Sequence, residues 1–241
     1  MSKRGDFVYF YEMHLHTSEG SNCGGSTGEE QALYYKSLGY DGIFVTDHFF
    51  NGNSRINFTM PEKSWEERVE AFCKGYENAK KKGDEIGLSV FFGFEYNFHG
   101  TEWLIYGLSK NWLLNSPHIM TISPKEFLKL VKECGGYAVQ AHPFREAPYI
   151  DTIRILPYNI DGMEVLNVKN CKRANDVALL YADLNEIPKT CGSDCHHNMD
   201  NNLCAMGSEV KINNVSEFFK KLRKGELKMF KKDEGKDFYE V

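Results

Sequence analysis

Short apolar runs recur along the chain, rich in β-branched and aromatic residues and bounded by glycine or polar clusters. Residues 7–14, 42–46, 88–92, 103–106, 137–141, 162–166 and 187–191 predict seven strands on this pattern. Helix starts fall between them: Thr27 precedes Glu30 by three positions, Ser64 precedes Glu67, Ser123-Pro124 precedes Glu126, and Asn214 precedes Glu217. Each pairs an N-cap with a carboxylate in the first turn. Gly39 and the Gly135-Gly136 pair stand where two helices should end. Strand and helix therefore alternate, which predicts parallel strands joined by right-handed crossovers, as a barrel or a doubly wound sheet. The charge-dense stretch 220–241 reads as a solvated terminal helix and extension.

Composition narrows this picture. A chain of 241 residues without a low-complexity linker is expected to form one α/β domain over 1–241. No apolar run approaches the roughly 20 residues that span a bilayer, and the start MSKRGDF lacks an apolar signal core, so a soluble, cytoplasmic protein is expected. Seven cysteines, an odd number with no C-x-x-C pair, speak against a disulfide framework or a zinc ribbon. With a net charge of −5 the surface as a whole is not expected to attract duplex nucleic acid. Any phosphate must be held locally, by metal or a few cations.

His14 and His16 lie two apart at a strand end, and the strand period of two sets both imidazoles on one face as a chelating pair. Four further strand ends carry similar groups: Asp47-His48, Glu95, His142 and Asp194-x-His196. In parallel β/α folds the carboxyl ends of strands meet in space, so these groups are expected to converge. Mixed imidazole and carboxylate suits zinc, iron or manganese, and the number of donors exceeds one tetrahedral ion, so two or three divalent ions are expected. Arg145, three residues past His142, is placed to bind phosphate oxygens or to form a surface salt bridge, and Glu164 to orient a ligand or simply to pair with a cation. The aromatics Phe49, Phe50, Phe94, Tyr96, Phe98 and Phe144 read as core or rim packing rather than as a base-stacking platform.

The segments MHLHTSEGSNCGG, VTDHFF, FGFEYNF, QAHPFR and GSDCHH resemble, in order, the motifs of the polymerase and histidinol phosphatase (PHP) superfamily. That resemblance implies a distorted seven-stranded β/α barrel. It implies that His14, His16, Glu95 and Asp194 surround one metal, that Glu95 bridges to a second taking His142, and that His48 and His196 hold a third or, if only two ions bind, stand behind the ligands. Glu95, Asp194 and His196 would be the catalytic residues and Arg145 the substrate-binding one. The chain departs from the family at Ser21, Asn22 and Cys23, where many members carry an Asp or His. Cys23 could replace the missing ligand as a thiolate but reads rather as a small residue of a glycine-rich loop; His99 and Glu102 are weaker candidates for the same place, and all three stay outside the predicted ligand set. The expected reaction is hydrolysis of a phosphate monoester on a small molecule by a metal-activated hydroxide, as in histidinol phosphatases. The alternatives are a phosphodiesterase or exonuclease on small nucleotides or nucleic-acid ends, and a non-catalytic metal-binding protein.

Overall fold

The computed structural model describes residues 8–241; the basic start of the chain and Phe7, first residue of the predicted opening strand, lie outside them. Among the described residues the order is β1 (Tyr9–Leu15), α1 (Gly28–Ser37), β2 (Gly42–Val45), α2 (Arg55–Thr59), α3 (Trp65–Phe72), α4 (Lys74–Ile86), β3 (Ser89–Phe98) and β4 (Thr101–Tyr106). There follow α5 (Lys110–Leu114), α6 (Pro124–Glu133), β5 (Tyr137–Gln140), β6 (Gly162–Asn167), α7 (Lys172–Leu184), β7 (Lys189–Gly192), β8 (Leu203–Ser208), α8 (Val215–Arg223), β9 (Lys228–Lys232) and β10 (Tyr239–Glu240).

All four predicted N-caps form. Thr27, Ser64 and Ser123 close capping boxes with Glu30, Glu67 and Glu126, and the Asn214 side chain accepts from the Glu217 amide. Each cap contributes about 1 kcal/mol. Gly39 and Gly135 follow α1 and α6 in the left-handed region, at φ +88° and +78°.

The strands form one mixed sheet in the order β10-β9-β8-β1-β2-β3-β4-β5-β6-β7. The sheet curls: Leu15 bridges in parallel to Cys195, and the His16 amide donates to the Cys195 carbonyl at 2.8 Å, so the ends of β1 and β7 meet. A barrel-like α/β fold is thus present, but the expectation of seven parallel strands needs correction. Ten strands are found among the described residues, and β4, β8, β9 and β10 run antiparallel to their neighbours.

Two causes explain the difference. The predicted strand 88–92 continues to Phe98 and turns through His99-Gly100, at φ 51° and 82°, straight into β4. Two residues can make a hairpin but cannot carry a parallel crossover. The tail 220–241 is not a solvated helix either: α8 ends at Arg223, and the rest adds β9 and β10 to the sheet. Leu227 and Phe230 are buried there, among lysines that mask the apolar positions in the sequence.

Phe49, Phe50, Phe94 and Tyr96 are buried in the largest apolar core, with Phe98 and Phe144 packed against it, so these aromatics act in packing. No described helix is long and apolar enough to cross a membrane.

Candidate metal centre

The curl brings six predicted residues together at the carboxyl ends of β1, β2, β5 and β7 and within β3. His14, on β1, sets its Nε2 3.4 Å from Glu95 Oε1 and 3.6 Å from Asp194 Oδ1. His16 Nε2 lies 3.3 Å from Asp194 Oδ1 and 3.6 Å from Glu95 Oε2. His142 Nε2 is 3.2 Å from Glu95 Oε1, and His48 Nδ1 is 2.7 Å from Glu95 Oε2. His196 is the seventh, its ring stacked on His16 at 4.4 Å. Four groups of three could each hold an ion: His14/His16/Glu95, His14/His142/Asp194, His16/His48/His196 and His48/Glu95/Glu102. His142 and Asp194 are non-glycine residues in the left-handed region, at φ 27° and 50°, so the backbone bears strain where these side chains turn inward.

Hydrogen bonds decide which imidazole nitrogen faces the cluster. His14 Nδ1 donates to Glu164 Oε1 at 3.0 Å, and Glu164 Oε2 also accepts from the His142 amide at 2.8 Å. Glu164 reaches His14 over Gly192, where a Cβ would lie 2.0 Å from Glu164 Oε1. The Ser21 hydroxyl donates to Asp47 Oδ1 at 2.7 Å, so toward His16 Nδ1, 3.0 Å away, it can only accept. Asp47, read from sequence as a potential ligand, instead ties down the loop after β1 by accepting from the Thr17 amide and hydroxyl, both at 2.6 Å. His196 Nδ1 donates to its neighbour Asp194 carbonyl at 2.8 Å.

With Nδ1 protons committed, the Nε2 atoms of His14 and His16 face each other at 3.2 Å, lone pair to lone pair. That geometry is repulsive unless a proton or a cation lies between them. Buried His48 Nδ1 and Glu95 Oε2 also lack a hydrogen-bond partner despite their closeness. Four buried carboxylates, Glu95, Glu102, Glu164 and Asp194, share Arg145 as their only full-time cation among the described residues. The donor set fits divalent metal: oriented imidazoles, carboxylates and an excess of buried negative charge.

Charge coupling follows the same layout. Burial opposes a charge on His14, but Glu164, Asp194 and Glu95 outweigh it and hold the imidazole well above its usual range. Burial and the neighbouring His48 and His196 push His16 well below that range. Burial works against ionised Asp194, yet His14, His16 and Arg145 keep it well below the ordinary carboxyl value. A proton on His14 must leave before its Nε2 can bind metal, so affinity is expected to rise with pH, up to about tenfold per pH unit, until His14 is deprotonated. Calorimetric manganese titrations in buffers of different ionisation heat check this; constant affinity without proton release would contradict it.

Three residues enlarge the predicted set. Glu102, kept outside it, sits opposite Asn97 in the β3–β4 hairpin and so shares a face with Glu95; its Oε2 is 3.4 Å from His142 Nε2. Cys23 lines the cleft, and although burial raises its pKa, hydrogen bonds from His196 and His48 bring the thiol down to about 6. Glu12, unnoticed in the sequence, is fully buried one strand period before His14, and burial pushes its carboxyl up to about 7. It accepts from the His14 and Ser193 amides, both at 2.9 Å, and from the Ser193 hydroxyl, tying β1 to the segment that carries Asp194. Period-two spacing from His14 is the signal that could have found it.

Above the cluster opens a cleft of about 630 Å³ lined by polar groups, including Asn51, Asn53, Asn97, His99 and Tyr149. Arg145 stands in its wall, its Nη2 2.7 Å from Asp194 Oδ2 and its Nε 2.8 Å from Asn170 Oδ1.

No family model matches the chain. Over 116 residues it is 34% identical to an uncharacterised protein of Methanocaldococcus jannaschii, a match that spans 48% of this chain and 64% of that relative. Among solved structures it is similar to a two-domain protein from Bacteroides vulgatus containing a predicted PHP-like metal-dependent phosphoesterase: TM-score 0.70, 13% identity, 92% of this chain and 64% of that one. The fold is PHP-like. A provisionally assigned metal-dependent phosphoesterase from Bifidobacterium adolescentis also superposes, with a TM-score of 0.53 and 16% identity over 79% of this chain and 88% of that one. In this PHP-like frame, the His/Glu/Asp cluster occupies the strand ends around which the sheet curls.

Proposed function

We propose that the chain is a metal-dependent phosphoesterase that hydrolyses phosphate monoesters of small molecules. The observation that carries the reading is the convergence of His14 and His16 Nε2 with Glu95 and Asp194, of which Asp194 lines a small cleft with one arginine in its wall. The metal-dependent phosphoesterases named among the structural neighbours support the same class.

His14, His16, Glu95 and Asp194 would hold one ion, with Glu95, Glu102 and His142 around a second. When bound, the ions would supply an activated water and neutralise phosphoryl charge. Arg145, braced by Asp194, Asn167 and Asn170, would set the phosphate in place with the guanidinium edge left toward the cleft. Asp194 is held too strongly ionised to serve as a proton donor. His196 has only Nε2 left for the cleft, for a proton or for an ion. A cleft of about 630 Å³ with no lysine in its lining suits a small substrate with one phosphate rather than a nucleic-acid strand.

Metal analysis of protein purified without chelator, paired with assays on p-nitrophenyl phosphate and its bis ester, tests this. The expected result is two or three equivalents of zinc, iron or manganese, with monoester turnover abolished by chelation and restored by metal. Preference for the bis ester would point to a diesterase. Bound metal with neither activity would point to a non-catalytic protein, and metal-free protein that stays inactive after metal is added would end the proposal.

A further inference from the structure

We propose that Cys23 is a metal ligand, completing with His48 and His196 the site of a third ion on the open side of the cluster. The inference rests on the metal-dependent reading above.

The loop that carries Cys23 is pressed onto the end of β7. The Asn22 amide donates to the Asn53 carbonyl at 2.9 Å, the Gly24 amide to Ser21 at 3.1 Å, and the Gly25 amide to the His196 carbonyl at 2.8 Å. Only glycine permits this approach. A Cβ at Gly24 would lie 2.3 Å from the Thr17 carbonyl oxygen, and one at Gly25 2.0 Å from His197 Nδ1. Cys23 is thereby clamped on both sides and lines the cleft together with His48 and His196.

The ligand count points the same way. His16, His48 and His196 form a group able to hold an ion, but His16 Nε2 already faces His14 Nε2 at 3.2 Å and Asp194 at 3.3 Å, on the side of the first ion. His196 commits Nδ1 to a carbonyl and His48 turns Nδ1 to Glu95, so each has Nε2 left for the thiol side. Two imidazoles fall one short of the three protein ligands usual for a catalytic zinc, and two imidazoles with one thiolate form a known transition-metal donor set. The other six cysteines do not compete: Cys73, Cys191, Cys195 and Cys204 are buried, and none of the six lines the cleft. A soft thiolate also makes this site more zinc-selective than the carboxylate-rich pair beneath it.

Cobalt(II) loading of the full chain tests the assignment by absorption and metal count rather than by turnover. Wild-type protein should show an intense near-ultraviolet sulfur-to-cobalt charge-transfer band. Cys23→Ala should lose that band and one equivalent of cobalt, with an unchanged circular dichroism spectrum. Cys23→His should also lose the band but keep the equivalent, because an imidazole replaces the thiolate. Cobalt bound without such a band in wild type, or a band that survives in Cys23→Ala, would overturn the assignment and leave the metal-dependent reading intact. Absence of any bound cobalt would overturn both.

Discussion

Glu95→Gln is expected to abolish the proposed phosphoesterase activity, lowering kcat/KM by about 10³-fold or more, and to weaken metal binding. Glu95 is fully buried, and its two oxygens meet four imidazoles: Oε1 faces His14 and His142, and Oε2 faces His16 and His48. Burial resists its ionisation, but His48 and His14 outweigh that and hold the carboxyl well below its usual range. An amide keeps the shape, loses the charge and turns an N–H toward at least one of those nitrogens. A thousandfold loss corresponds to about 4 kcal/mol of transition-state stabilisation, a reasonable share for ions that Glu95 would hold and that would supply the activated water. Steady-state kinetics with metal analysis before and after dialysis checks the prediction. Variant protein that keeps both its ions and its rate would remove Glu95 from the mechanism.

Glu12→Ala is expected to have the largest effect on stability. Its carboxylate accepts from two backbone amides and the Ser193 hydroxyl, and Tyr35 lies 3.3 Å away, all out of reach of solvent. Truncation leaves these donors buried without partners beside a new cavity, a loss of about 3 kcal/mol. For a chain of this size that lowers the melting temperature by roughly 6–12 °C. Because Glu12 joins the His14 strand to the Asp194 segment, metal affinity should also fall by about 10–100-fold, as when a group that orients a ligand is removed. Thermal unfolding of metal-free protein isolates the first effect, and metal titration measures the second. Glu12→Gln, which keeps one acceptor and the volume, should lie between wild type and alanine. Melting within 2 °C or so of wild type for the alanine variant would show that the tie between the strands carries little energy.

The sequence by itself determined whatever is encoded locally. N-caps at Thr27, Ser64, Ser123 and Asn214, glycines after α1 and α6, and most strand positions follow from spacings of three or four residues and from alternation. The same holds for the roster of the cluster, because a His-x-His pair and acidic or imidazole groups at strand ends are visible without knowing where the strands lie in space. Tertiary structure alone decided which of these groups face one another. A two-residue turn at His99-Gly100 made β4 antiparallel and carried Glu102 to the side of Glu95. Hydrogen bonds from distant elements sent Asp47 to the loop after β1 and turned the Nε2 atoms of His14 and His16 inward. The meeting of β1 with β7 gave Glu12 its partner at Ser193, 181 residues away. Such outcomes depend on register, ring orientation and chain closure, which are properties of the packed whole that no short window of residues contains.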